Sequence, residues 1–203
     1  MAEVNPVTRL GVLGGSFDPI HNGHLVAAKR AAQELGLSKV LFVPAGNQWQ
    51  KSQSGKTQTA AGHRLAMTAL AIDGEPLFQL SDIDVLRGGA TYTVDTLTQL
   101  NSEYPNAELF FILGADAIAG IESWKEPERL FQLATFVAVS RPGYQLTVPQ
   151  KYAGQVKKIE IDALDISSTE CRDMAEAGQS LSGLVPDAVI TYIRENHLYQ
   201  EAK

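Results

Sequence analysis

The feature that most constrains this chain is a set of short runs in which every residue is apolar. Leu109-Phe110-Phe111-Ile112-Leu113 is the clearest of them. Side chains on a strand alternate between its two faces, so an uninterrupted apolar run needs cover on both, as inside a parallel sheet. Five residues are far fewer than the ~20 that cross a bilayer, so the cover must come from the chain itself. Further β-branched or aromatic runs lie at residues 9–13, 39–43, 78–86, 135–140 and 158–161. Segments of helical period separate them. Leu25, Ala28, Ala32 and Leu35 share one helical face, and Gly36 follows as a C-terminal stop. Helices are also predicted over 63–72, 94–103, 127–133, 169–177 and 186–195. This β-α alternation predicts an α/β fold, a doubly wound, Rossmann-like parallel sheet with helices on both faces and right-handed crossovers. Ligands of such sheets sit at the carboxyl ends of the strands, near a switch in strand order.

The 203 residues are enough to bury ~70% of the unfolded surface, and no repeat or interdomain linker interrupts them. The reading is one domain over residues 1–203, closed by helices at 160–203. Residues 48–59, rich in Gln, Ser, Gly and Lys, form a loop of about twelve residues, long enough to be functional. Residues 142–154 read as a second irregular surface connection. Lys and Arg number 17 against 23 Asp and Glu, a formal charge of −6. That balance lacks the broad positive field behind nucleic-acid affinity, so anionic ligands must be held by a local cluster of donors. A single cysteine, Cys171, excludes an intrachain disulfide and any zinc site with two thiolates. The first residues show no basic segment followed by an apolar run, so a cytoplasmic setting without a membrane partner is expected.

Two familiar phosphate-binding patterns fail. Gly11, Gly14 and Gly15 do not space as Gly-x-Gly-x-x-Gly, and Ser54-Gly55-Lys56-Thr57 has Gln50 where a P-loop needs glycine. The strongest signal is Gly14-Gly15-Ser16-Phe17-Asp18-Pro19-Ile20-His21-Asn22-Gly23-His24, at the end of the first predicted strand. Glycines let backbone amides approach a phosphate, and His21 and His24 stand three apart at a helix start, where dipole and amides favour an anion. A second signal, Ile166-Ser167-Ser168-Thr169-Glu170-Cys171-Arg172, lies about 145 residues later. Ser167-x-x-Glu170 is a capping box that would start a helix without any ligand. The same segment also offers hydroxyls, amides and Arg172 to a triphosphate.

Together these motifs resemble the nucleotidylyltransferase superfamily. Arg87-Gly88-Gly89-Ala90-Thr91-Tyr92-Thr93-Val94-Asp95-Thr96-Leu97, Leu113-Gly114-Ala115-Asp116, Trp124 and Ser140-Arg141-Pro142-Gly143 narrow the resemblance to the bacterial nicotinate-mononucleotide adenylyltransferases. It runs from about Arg9 to Tyr199. The chain departs from the family pattern after the second strand, where Pro44-Ala45-Gly46-Asn47-Gln48-Trp49-Gln50-Lys51 replaces a segment ending in a basic pair that includes histidine.

The resemblance implies that AMP passes from ATP to nicotinate mononucleotide, giving nicotinate adenine dinucleotide and pyrophosphate, with Mg²⁺ carried mainly by the ATP phosphates. It implies catalytic roles for His21, His24 and Arg172. ATP would be bound by Gly14, Gly15, Ser16, Phe17, His21, His24, Ile166, Ser167, Ser168, Thr169 and Arg172. The mononucleotide would meet Asp18, Lys51, Tyr92, Thr93, Asp116, Trp124 and Arg141. Asp116 would accept from a ribose hydroxyl, Trp124 would stack on the pyridine ring, and Lys51 would pair with the mononucleotide phosphate. Nucleic acid and membrane are not expected partners, and a homo-oligomer is left open. Two other readings stand beside this one: another adenylyltransferase, such as phosphopantetheine adenylyltransferase, or a metallohydrolase using Asp18, His21 and His24, which recur every three residues.

Overall fold

The computed structural model describes residues 8–47, 58–140, 146–161 and 166–200. In chain order it runs β1 (Arg9–Gly15), α1 (Asn22–Leu35), β2 (Lys39–Pro44), α2 (Ala61–Ile72), β3 (Phe78–Leu80), α3 (Ile83–Arg87), α4 (Thr93–Glu103), β4 (Glu108–Gly114), α5 (Ala115–Ala119), α6 (Pro127–Leu133), β5 (Thr135–Ser140), β6 (Val156–Glu160), α7 (Ser168–Glu176) and α8 (Asp187–Glu195). Single 3₁₀ turns occupy Ile121–Ser123 and Gln150–Tyr152.

The six strands form one parallel sheet in the order β3-β2-β1-β4-β5-β6. The apolar runs divide residue by residue between its two faces. Phe110 and Ile112 of β4 join Val40 and Phe42 of β2 under α1, α2, α7 and α8. Leu109, Phe111 and Leu113 join Leu10 and Val12 of β1, and Leu41 and Val43 of β2, under α4, α5 and α6. Each such side chain contributes ~1.5–3 kcal/mol on burial, which is why β4 can carry no polar residue between Leu109 and Leu113. Helix α1 presents Ala28, Ala31 and Ala32 to the sheet and stops at Gly36, whose φ of +59° suits glycine.

One predicted element divides. Residues 78–86 read as a single strand, one of the β-branched or aromatic runs, yet β3 ends at Leu80 and residues 83–87 are helical. β3 is an edge strand paired over only three residues of β2, and its ladder closes with Ser81 N–H donating to Phe42 O at 2.9 Å. Asp82 then starts a turn, its carbonyl accepting from the amides of Val85 and Leu86. The stretch 142–154, expected to be irregular, contains the 3₁₀ turn that buries Tyr152.

A buried cation ties three loops together above the sheet. Arg64, in the first turn of α2, is 1% exposed. It donates from Nε to Thr59 O at 2.8 Å, from Nη1 to Ser16 O at 2.8 Å, and from Nη2 to Gly46 O at 2.7 Å. Burial opposes its charge, whereas Asp18 and Tyr199 favour it. Gly46 leaves no room for a side chain: a Cβ there would stand 2.5 Å from the Asp84 carbonyl oxygen. Replacing Arg64 by methionine keeps much of the volume and strands three carbonyls at once. At roughly 1–3 kcal/mol per buried unsatisfied group, Arg64→Met should lose at least about 3 kcal/mol in urea unfolding at pH 7.5. A loss below about 1 kcal/mol would show that the clamp is not what joins these loops.

Candidate active site

The order of strands places β1 beside β4, and the chain leaves these two strands toward opposite faces. Helix α1 packs with the core on one side and α5 on the other. A cleft of about 780 Å³ opens at this switch point, between Gly14-Gly15 at the end of β1 and Gly114-Ala115-Asp116 at the end of β4.

One end of the cleft is built by the two separated motifs. After Gly15 the chain turns through Phe17, a non-glycine residue at φ +49°. The Phe17 ring is buried, edge-on to His24 with centroids 5.1 Å apart, and leans on Phe42 at 5.9 Å. His21 caps α1, and its ring stacks on His24 at 3.7 Å. The His21 amide donates to Nδ1 of His24 at 3.2 Å. An acceptor Nδ1 carries no proton, so neutral His24 holds its hydrogen on Nε2 and is a donor there. Burial pushes His21 down to about 4, so its imidazole is neutral at pH 7, and its Nδ1 finds no hydrogen-bond partner among the described residues.

Helix α7 is pinned against this loop. Ser168 Oγ donates to Pro19 O at 2.9 Å, and Arg172 Nη1 donates to Asp18 O at 2.7 Å. Arg172 Nη2 also reaches Thr169 Oγ1 at 3.1 Å. Ser167 caps the helix, accepting from Glu170 N–H at 3.1 Å, so the segment is both a cap and a wall of the cleft. Two motifs about 145 residues apart become one surface.

The other end is set by α4 and the segment before α6. Thr91 Oγ1 accepts from the Gly46 and Asn47 amides at 3.0 and 3.3 Å, and Thr91 N–H donates to Asn47 O at 2.8 Å. Tyr92 caps α4. The buried Asp84 carboxylate accepts from Thr96 Oγ1 at 2.6 Å and Arg87 Nη1 at 2.7 Å, anchoring the first turns of α4. Burial raises the Asp84 carboxyl, and these two partners oppose that rise. Trp124 follows the 3₁₀ turn, half-buried, its ring perpendicular to Phe111 at 6.2 Å. Lys125 stands next to it at the same rim.

The cleft thus gathers Gly14, Gly15, Ser16, His21, His24, Ile166, Ser167, Ser168, Thr169 and Arg172 at one end, with Tyr92, Thr93, Asp116 and Trp124 around the other. Phe17 and Asp18 are not among its lining residues. Phe17 backs His24 from beneath. Asp18, expected to meet the mononucleotide, has its carboxylate turned into the protein, where it accepts from Tyr199 Oη at 2.7 Å and from Thr59 N–H at 3.1 Å. Among the described residues no three His, Cys, Asp or Glu side chains form a metal cluster. Lys51 and Arg141 lie outside the described residues. Sequence reasoning missed Arg64, Asp84, Thr96 and Lys125. Lys125, beside the singled-out Trp124, and Thr96, inside the quoted Arg87–Leu97 segment, carried a local signal.

A cytidylyltransferase-like family model matches residues 12–174, a span that runs from β1 to the end of the Arg172 motif. A probable nicotinate-nucleotide adenylyltransferase of Leifsonia xyli subsp. xyli is 52% identical over 95% of this chain and 94% of its own. One of Mycolicibacterium vanbaalenii is 48% identical over 95% of this chain and 92% of its own. The chain belongs to the nicotinate-nucleotide adenylyltransferase family. Its fold is also that of a solved Plasmodium falciparum nicotinic acid mononucleotide adenylyltransferase complexed with NaAD, at TM-score 0.78 and 24% identity over 95% of this chain and 97% of that one. In this adenylyltransferase, residues beyond the matched span still serve the site: Tyr199 reaches back to Asp18, and Leu184 O accepts from the first amide of α1 at 2.8 Å. No described helix is long and apolar enough to cross a membrane.

The neutral state of His21 has a consequence for stability. In the unfolded chain its proton leaves near 6.5, and in the folded chain near 4. Between these values the unfolded state binds the extra proton, so this contribution is intact above about pH 6.5 and is lost as pH falls toward 4. Wild-type protein should lose about 2–3 kcal/mol more than His21→Asn between pH 7.5 and pH 4.5, read from urea unfolding of both at each pH. Parallel losses in the two proteins would mean that His21 is not held neutral by its surroundings.

Proposed function

We propose that the protein transfers the adenylyl group of ATP to nicotinate mononucleotide, forming nicotinate adenine dinucleotide and pyrophosphate. A phosphate oxygen of the mononucleotide attacks the α-phosphorus of ATP, and the bond from that phosphorus to the α–β bridging oxygen breaks. The observation that carries this reading is the junction of α7 with the β1 loop, where Arg172 and Ser168 bind the carbonyls of Asp18 and Pro19 beside His21 and His24. It makes one continuous surface of imidazole, guanidinium, hydroxyl and helix-start amides, long enough for a polyphosphate.

The nucleophile is already anionic near neutral pH, since a phosphate monoester's second pKa is ~6, so no protein base is required. Catalysis then consists of positioning and of stabilising charge on the α-phosphate and the departing pyrophosphate. His24 offers Nε2–H, a donor fixed in direction by the bond at its Nδ1. Neutral His21 sits beside it and would take up a proton as phosphate charge arrives, because the anion offsets the burial that now holds it low. Arg172, with its first contacts spent on Asp18 O and Thr169, keeps further N–H groups for the β- and γ-phosphates. The donors here suit phosphate oxygens rather than a divalent cation, so Mg²⁺ would be held by the triphosphate itself, where it supplies charge neutralisation. Asp116 would receive a ribose hydroxyl and Trp124 the pyridine face, while Lys51 and Arg141 would add cations toward the mononucleotide. A cytoplasmic setting would supply ATP as co-substrate.

A carboxylate on the pyridine suits the start of α4, where backbone amides and the helix dipole favour an anion, while a carboxamide turns an N–H toward donors. The acid should therefore be preferred to nicotinamide mononucleotide by roughly 10- to 150-fold in kcat/KM. The test is pyrophosphate release with ATP, Mg²⁺ and a panel of acceptors that includes both mononucleotides and phosphopantetheine. Turnover of nicotinate mononucleotide at the highest kcat/KM is expected. Preference for phosphopantetheine, or no turnover of either mononucleotide, would overturn the assignment. In the same assay a folded His24→Ala protein should turn over ~10²–10³ more slowly, the usual loss for one transition-state donor. Near-normal turnover would remove His24 from the chemistry.

A further inference from the structure

Resting on that reading, we infer that the Lys125 side chain is a specificity determinant, pairing with the carboxylate of the pyridine substrate and setting the preference for acid over amide. Lys125 lines the cleft at the same rim as Tyr92, Thr93 and Trp124. Its Nζ lies 4.7 Å from the centroid of the Tyr92 ring and 3.1 and 3.2 Å from the two carboxylate oxygens of Asp95. Asp95 is the third residue of α4, in the turn whose amides would receive the substrate carboxylate.

The chemistry of this pair follows from its surroundings. An anion at the start of α4 gains from the helix dipole and loses to the Asp95 carboxylate one turn away. Lys125 offsets that charge, and its ammonium is held over the Tyr92 ring by attraction to its face. Both partners are open to solvent, with side-chain exposures of 41% for Lys125 and 38% for Asp95. Such pairs are worth little, so Nζ can leave Asp95 for a better-placed carboxylate, or bridge the two, at small cost. An ammonium has only donors, so it favours a carboxylate over a carboxamide, which offers one neutral oxygen and a competing NH₂. In an acidic chain this is a local cation placed where the two mononucleotides differ.

The experiment measures kcat/KM for both mononucleotides at fixed ATP and Mg²⁺ in wild type, Lys125→Met, Lys125→Arg and Asp95→Asn. Methionine keeps the stem against Tyr92 and removes the charge. The acid-to-amide ratio should fall about tenfold in Lys125→Met, through a higher KM for the acid with the KM for ATP unchanged. Arginine should restore the ratio to within a few-fold of wild type. Asp95→Asn breaks the same ion pair but should not lower the ratio, which separates substrate pairing from mere anchoring of α4. An unchanged ratio in Lys125→Met, or an equal fall in Asp95→Asn, would overturn the role of Lys125 in an enzyme that otherwise works. A wild-type protein inactive on both mononucleotides would instead overturn the reading beneath it.

Discussion

Asp18 is held from both of its ends, and the geometry of the site depends on that hold. Its carbonyl accepts from Arg172, its carboxylate accepts from Tyr199 and from the Thr59 amide, and the neighbouring carbonyls of Ser16 and Pro19 accept from Arg64 and Ser168. Three segments that are remote in sequence, at Thr59–Arg64, Ser168–Arg172 and Tyr199, therefore converge on one turn after β1. Because Asp18 is buried, each of these bonds forms where water competes poorly, and an unmade one would cost the full desolvation of its partner. Burial and the nearby Asp18 charge push the Tyr199 hydroxyl well above its usual range, so it remains a donor throughout the working pH. The turn that aims His21 and His24 is thus fixed from the side away from substrate.

Charge explains why the site takes this form. The protein carries −6 overall and must bind substrates that are themselves anions. On the proposed reading the phosphates would meet the two imidazoles, that of His21 kept neutral by burial, and the amides of α1 and α7, with Arg172 as the fixed cation. Stacked at 3.7 Å, the two imidazoles would repel each other if both were charged before ligand arrived, and burial of His21 removes that conflict. At the pyridine end the cation is Lys125, kept half in solvent on a weak pair with Asp95. Strong, buried bonds hold the frame, while exchangeable ones face the ligand.

Much of this was legible in the residues. The apolar run of β4 required two covered faces and so implied helices on both sides; alternation between adjacent residues gave each face its share. The β1 loop and the Arg172 segment stood out because they hold the glycines, helix starts and donors that phosphate binding would need, and both line one cleft. Other parts were not legible because they are made by tertiary contact. Arg64 belongs to no motif; it matters only because Ser16, Gly46 and Thr59 present their carbonyls to one point. Asp18 sits inside the strongest motif, yet its side chain faces Tyr199, and nothing in the local pattern tells the two directions apart. Asp84 fell within a run read as one strand, whereas β3 pairs over only three residues and the chain turns helical after it.

The central claim is that two motifs far apart in sequence act as one surface on the same triphosphate. A double-mutant cycle on His24 and Arg172 measures this directly, through kcat/KM for ATP in wild type, His24→Ala, Arg172→Ala and the double variant. Groups that stabilise one transition state together are not additive, so the double variant should lose at least about tenfold less than the product of the two single losses. Single losses that simply multiply would contradict the account and show that the β1 loop and the start of α7 work on the substrates independently.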